Sequence, residues 1–210
     1  MTSGNTLLRR NDPQYRHSII THAISQFHQK GIKGVTMSQI SEDLRISKRT
    51  LYEIYDSKEA LLLDCLKEKQ RVRRELMETH IAQTNNVLEA ILKIFRMQLD
   101  ESHHINPVFI EQLQSYKAAR NFFIELHEKQ REEAVAFLNK GIEEGVFHEQ
   151  ANFEIIYDMC AAIVENIFSL KLLDRLPTQE VFKATMLCYI RGFTTPKGQQ
   201  IIDSWLQKVE

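Results

Sequence analysis

The chain has 210 residues, 43% of them hydrophobic and 26% charged, with a formal net charge of -1. That composition excludes an intrinsically disordered chain and fits a globular protein, either one large domain or a small domain fused to a larger one. No apolar h-region opens the sequence and no run of about 18 apolar residues interrupts it, so secretion and membrane spanning are disfavoured and a cytoplasmic location is expected.

Four prolines and seven glycines punctuate the chain, and long stretches repeat apolar residues at helical spacing. Residues 1–12 are polar and expected to be disordered. Ile20, Ile24 and Phe27, with Ile19 and Ala23 beside them, form the stripe of a helix over 14–30 that ends at Gly31 as a C-cap. Short helices are expected over 37–44 and 48–55, and a long one from about Ser57 to His80. Three more are expected over 86–104, 107–116 and 119–144, the last broken by Gly145. Asn152 can cap an apolar helix reaching Leu173, Pro177-Thr178 opens another ending near Gly192, and 199–208 forms the last. Nothing alternates with period two for long enough to make a strand. The expected fold is all-α: a three-helix head over 13–58 succeeded by a larger helical bundle over 59–210.

Residues 31–61 carry the chemistry. Thr36 and Gln39 have the spacing of a capping box, in which hydroxyl and amide satisfy backbone donors at a helix start. The helix they open, with Met37 and Ser38 in its first turn, offers Ile40 and Leu44 to a core. Ser47 caps a second short helix whose Leu51, Ile54 and Tyr55 face the same core, with Ile46 turned inward between them. Two short helices joined by a tight turn match the helix-turn-helix layout. Lys48, Arg49 and Thr50 then fall at the N-terminus of the second helix, where a recognition helix presents side chains to base edges. Arg49 suits a guanine edge and Thr50 a methyl or hydroxyl contact. The helix openings near Thr36 and Ser47 suit phosphate oxygens, and Tyr52 and Lys58 are placed to grip the flanking backbone. Short capped helix pairs also occur in all-α proteins that never touch DNA, so the pattern alone leaves both readings open. The charge distribution adds a little: residues 1–60 sum to +3 and residues 61–210 to -4.

The run from Gly34-Val35-Thr36-Met37-Ser38-Gln39-Ile40 through Ile46-Ser47-Lys48-Arg49-Thr50-Leu51-Tyr52-Glu53-Ile54-Tyr55, with Lys58 and Leu61 after it, resembles the signature of the TetR family of bacterial regulators. That signature reads Thr, a short helix with Ile, Val-Ser-x-x-Thr-Leu-Tyr-x-x-Phe, then x-x-Lys-x-x-Leu, and the resemblance covers about 50 N-terminal residues. Arg45 stands where the family has a turn glycine, a position that calls for positive φ. Tyr55 replaces a Phe and adds a hydroxyl that needs a partner. Arg49 occupies a position that is small in many relatives, so their operators do not transfer.

The resemblance implies a dimeric, sequence-specific regulator that binds a palindromic duplex operator and is released by a small, apolar effector. It also implies that the last two long helices make the dimer seam. Ile156, Ile163, Ile167 and Leu170 on one, and Met186, Tyr189, Ile190 and Phe193 on the other, supply apolar stripes for that role, although such faces also seal monomer cores. Phe95, Phe109, Tyr116, Phe123, Phe137, Met159 and Phe168 are candidates to line the effector cavity, or are plain core.

Cys65, Cys160 and Cys188 are far apart and form no CxxC pair, so they are expected as buried free thiols. His103-His104 project about 100° apart on a helix and suit one metal ion poorly, so no metal or cofactor is expected. An enzyme is the first rival reading, but no Gly-rich phosphate loop, HExxH, GxSxG or DxDxDG motif is present. A helical protein-interaction module is the second, and it leaves Lys48-Arg49-Thr50 behind a capped helix unexplained.

Overall fold

The computed structural model describes residues 13–102 and 104–207, without the side chains of residues 164, 165, 168, 169 and 174. Residues 1–12, expected to be disordered, and His103, weighed as a metal ligand, lie outside the described residues. The expected all-α class is what folds: helices, turns and one antiparallel bridge between Phe147 and Thr194 account for the regular structure described. The helices are α1 (Pro13–Lys30), α2 (Met37–Asp43), α3 (Lys48–Ile54), α4 (Lys58–Ile81), α5 (Val87–Ser102), α6 (Pro107–Leu113), α7 (Lys117–Glu143), α8 (Phe153–Ser169), α9 (Thr178–Arg191) and α10 (Pro196–Leu206). No helix among the described residues is long and apolar enough to cross a membrane.

The chain forms two compact units, residues 13–74 with 104–123 and residues 75–102 with 124–207. In the first, α1 buries Ile19, Ile20, Ala23 and Phe27 and stops at Gly31, whose N–H bonds the Phe27 carbonyl at 2.9 Å. Against that stripe pack Ile40 of α2, Leu51 of α3 and Leu61, Leu62 and Cys65 of α4. The unit also takes in residues well beyond 58. Phe109 of α6 lies edge-on to His28 at 4.7 Å and Ala119 of α7 is buried in the same cluster. Asn106 donates its backbone N–H to the His28 carbonyl at 2.7 Å, and the Gln112 side-chain carbonyl accepts from the Lys33 N–H at 2.8 Å.

In the second unit the rings of Phe147, Phe153 and Phe193 meet at 5.2–5.5 Å around a core shared with Leu88, Leu92 and Ile202. Arg131 of α7 pairs with Glu154 and Asp158 of α8, and Tyr157 stacks on His127 at 4.2 Å, which fixes the rotation of α8 about its axis. Among the boundaries that differ from the sequence expectation, two have a visible local cause. α8 stops at Ser169 rather than 173, because Lys171 turns left-handed at φ 50 and leads into a 3-10 turn over Leu172–Asp174. α10 starts at Pro196 rather than 199: Thr195 accepts from the Gly198 N–H at 3.2 Å and donates to the Gly145 carbonyl at 2.7 Å, a cap that precedes the apolar stripe.

Arg45 and Gly198 each offer a stability test. Arg45 holds φ 54 in the turn between α2 and α3, a conformation costing an L-residue roughly 1 kcal/mol. Arg45→Gly is expected to leave the denaturation midpoint unchanged or raise it, whereas β-branched Arg45→Val should lower stability by more than about 1 kcal/mol. Gly198 lies in a first turn, where alanine normally gains helix propensity. A Cβ there meets the Val146 carbonyl oxygen at 2.4 Å, so Gly198→Ala should destabilise by about 1–3 kcal/mol in chemical denaturation.

Candidate nucleic-acid interface

The two short helices are set by their caps. Thr36 Oγ1 accepts from the Gln39 N–H at 3.2 Å while Gln39 Oε1 accepts from the Thr36 N–H at 2.9 Å, completing the reciprocal box. Ser47 Oγ accepts from the Thr50 N–H at 3.0 Å and lies 2.7 Å from the Thr50 hydroxyl. The turn between them closes when the Ile46 N–H bonds the Ser41 carbonyl at 2.9 Å, with Ile46 packed on the core. Arg45 at its apex takes the positive φ that the family's glycine supplies.

This frame puts Lys48, Arg49 and Tyr52 on the surface. The Arg49 side chain is 89% exposed and its Nε donates to Glu53 one turn on at 2.9 Å. Lys48 Nζ stands 6.0 Å from the Tyr52 ring centroid, and Tyr52 is 42% exposed. Ser47 is exposed, while Thr50 is partly covered by its contact with the cap. Thr36 is exposed and Ser38 half-buried at the mouth of α2. In such an opening turn the first N–H groups have no intrahelical acceptor.

Two of the expected contacts are placed differently. Met37 is only 5% exposed, its side chain drawn into the core by the same helical face as Ile40, so it offers the surface no more than its backbone. Lys58 is half-buried and its Nζ donates at 2.8 Å to both the Ile32 and Val35 carbonyls. Burial holds its proton affinity below the ordinary lysine value. It braces the loop before α2 rather than reaching outward. Tyr55 is buried, and its hydroxyl finds the partner that the sequence left open, donating to Asp64 Oδ2 at 2.7 Å beside Arg16 at 2.8 Å. Burial and that carboxylate push the phenol well above its usual range. Arg45, exposed beside α3, is a candidate contact that sequence reading treated only as a turn residue.

The residues expected to line an effector cavity are divided between the two units. Phe109 and Tyr116 belong to the core cluster of the first unit, and Phe123, in that unit, is largely exposed against Phe122. Phe95 and Phe137 lie in the second unit, where Phe95 approaches Trp205 and Phe137 packs on the core. Met159 is 49% exposed, and the Phe168 side chain lies outside the described residues. Of the expected seam, Ile167 and Ile190 are sealed inside the second unit, and Phe193 is part of its aromatic cluster. Ile156, Ile163, Met186 and Tyr189 are half-buried, the Tyr189 hydroxyl donating to the Ile156 carbonyl at 2.9 Å. Only Leu170 is mostly in the open, at 62%. Cys65 is buried as expected, but Cys160 and Cys188 are exposed. Among the described residues no three His, Cys, Asp or Glu side chains gather as metal ligands.

Comparison with known proteins places this geometry. The family model described as "Bacterial regulatory proteins, tetR family" matches residues 19–65, the stretch from α1 into α4. The chain is 24% identical over 147 residues to the HTH-type transcriptional repressor KstR2 of Mycobacterium tuberculosis, covering 68% of this chain and 74% of that one. The solved structure of that organism's ketosteroid transcriptional regulator KstR2 superposes with a TM-score of 0.56 at 19% identity, over 88% of this chain and 97% of the other. A transcriptional regulator from Saccharomonospora viridis, solved in complex with choline, superposes at 0.69 with 14% identity, over 88% and 100%. The capped helix pair, the left-handed turn and the exposed start of α3 are thus those of a DNA-binding transcriptional regulator, and residues 19–65 match the tetR family of bacterial regulatory proteins.

Proposed function

We propose that the protein is a dimeric repressor that reads a palindromic operator and leaves it when a small-molecule effector binds. The observation that carries the DNA reading is the start of α3, where exposed Lys48 and Arg49 stand beside half-buried Thr50, held on a buried Leu51 by the Ser47 cap. In this reading residues 13–58 form the DNA-binding segment and residues 59–210 the effector-binding and dimerising body, without catalytic machinery, acting in the bacterial cytoplasm. Lys48, Arg49 and Thr50 face base edges, while Thr36, Ser38, Ser47 and Tyr52 and the backbone of Met37 position the phosphates. Lys58 contributes by holding the loop before α2. Effector binding in the body favours one spacing of the two heads through α4, which requires different affinities for the two states. The choline held by the Saccharomonospora regulator supports small-molecule control as a mode available to this fold.

The dimer seam fits best one step around from the stripe picked out in sequence. Ile155, Met159, Ala162 and Leu170 of α8 and the segment after it share an exposed face, and Ala184 and Cys188 are exposed on α9. Contiguous exposed apolar side chains of this kind mark interaction surfaces. A palindromic operator presents successive major-groove faces about 34 Å apart, which a pair of heads in one dimer can read.

Selection from a randomised duplex library at moderate salt should return one inverted repeat. On that duplex, Lys48→Ala with Arg49→Ala is expected to weaken binding by about 100-fold or more, and to flatten the salt dependence by about one slope unit per lost phosphate contact. The dimer should remain intact, and unchanged binding would remove α3 from the role of reader. Met159→Glu with Leu170→Glu should yield a folded monomer by light scattering, with operator affinity falling because only half-sites remain. A double variant that stays dimeric places the seam elsewhere.

A further inference from the structure

The second unit carries a cleft of about 710 Å3 that the DNA-binding reading does not use. Its walls come from the end of α4, the turn after it, α5 and α10. The volume is that of a small-molecule site. Its charge is opposite to that of the body around it. Lys93, Arg96 and Lys197 line it against the single carboxylate of Glu89, in a stretch of chain whose net charge is -4. Arg96 is paired with Asp100 at 3.1 Å. Among the described residues Lys93 reaches only the neutral Gln83 side chain at 3.4 Å, and Lys197 only the Glu144 backbone carbonyl at 2.7 Å, so no carboxylate among them neutralises either charge.

The rest of the lining is mixed, with Gln83, Thr84, Gln200 and Ser204 beside an apolar group. Met97, Ile201 and Trp205 contribute to the walls, and the Trp205 indole is supported by the Phe95 ring at 6.3 Å. His80, on the cleft wall in the last turn of α4, keeps Nδ1 out of solvent with no hydrogen-bond partner among the described residues.

We propose that this cleft binds an amphipathic organic acid, its carboxylate met by Lys93, Arg96 and Lys197 and its apolar part lying against Trp205, Met97 and Ile201. The assignment deepens the effector reading and rests on it only for the consequence to DNA; the site itself stands on the lining. Ammonium and guanidinium groups bind a carboxylate through charge-assisted hydrogen bonds, and the indole face offers the large, flat apolar surface that one end of such a ligand needs.

Trp205 is the only tryptophan in the chain, so its emission reports this cleft directly. The full-length protein is titrated with decanoate and with decanol, each below its aggregation concentration. A saturable change in Trp205 emission is expected with decanoate, and binding of the uncharged alcohol should be weaker by about tenfold or more. Lys93→Gln with Lys197→Gln, two surface changes checked for native helicity by circular dichroism, should lower decanoate affinity by a similar factor. Equal affinity for acid and alcohol, unchanged affinity in the variant, or no saturable response to decanoate each overturns the assignment. Anisotropy of the selected operator duplex is read separately. Loss of DNA binding without decanoate counts against the DNA reading alone, and a cleft that fills without releasing DNA keeps the site but removes its regulatory role.

Discussion

Lys58 Nζ stands 2.8 Å from two backbone carbonyls, those of Ile32 and Val35, in a loop that no helix supplies with donors. A lysine at the first residue of a helix is badly placed for the helix dipole, and partial burial further penalises its charge. Both penalties are offset by two short hydrogen bonds to backbone carbonyls, of which that of Ile32 otherwise accepts a longer bond from the Val35 N–H at 3.4 Å. The consequence runs upstream and downstream. Upstream, the loop that carries Thr36 is fixed against the start of α4, so the capping box opens α2 at one angle. Downstream, α4 departs from the head at a defined place, where Tyr55 and Arg16 meet on Asp64 and tie α1 to α4.

Helices as short as α2 and α3, seven residues each, do not persist alone in water. Their order is borrowed from the cluster beneath them, in which Phe27, Ile40, Leu51 and Leu61 are fully buried. The surface of the reader is thereby free of packing duties. Among the described residues Lys48 and Arg49 are held only by a ring face and by Glu53, interactions worth at most a fraction of a kcal/mol to about 1 kcal/mol when exposed. Such side chains reorganise readily when a duplex arrives. Rigid support beneath and loosely held cations above are what phosphate-anchored groove reading requires.

The head was legible in the sequence because its signals are local. Thr36 and Gln39, Ser47 and Thr50, and the apolar spacing of Ile19, Ala23 and Phe27 each act within about a helical turn or two, and all appear as expected. Met37 and Lys58 were misplaced for a different reason: which face of a seven-residue helix turns inward, and whether a lysine bends back, are decided by neighbours far along the chain. The body was less legible. Apolar stripes in α8 and α9 announce burial without saying what buries them, so Ile167 and Ile190 could not be told from Met159 and Leu170. The pocket candidates divide between the units for a similar reason, since an aromatic residue carries no mark of the unit that will claim it; Phe109 and Tyr116 went to the head. The cationic cleft was invisible because Lys93, Lys197 and Trp205 meet only through the packing of α5 against α10.

The first unit is not a continuous stretch of chain. Its cluster closes only when Phe109 and Ala119 arrive, and residues 75–102 intervene. A ribosome releases the reader early and its lid late: synthesis runs at roughly 5–20 residues per second, so the face of α1 around His28 waits on the order of seconds for the segment that covers it. During that interval the nascent chain carries a basic, half-finished module with exposed apolar surface. Maturation of the DNA-binding end is therefore coupled to translation of α6 and the start of α7. Transcripts cut short before residue 104 would yield a head that is complete in its motif and incomplete in its core, an attractive client for chaperones and proteases rather than a competitor for the operator.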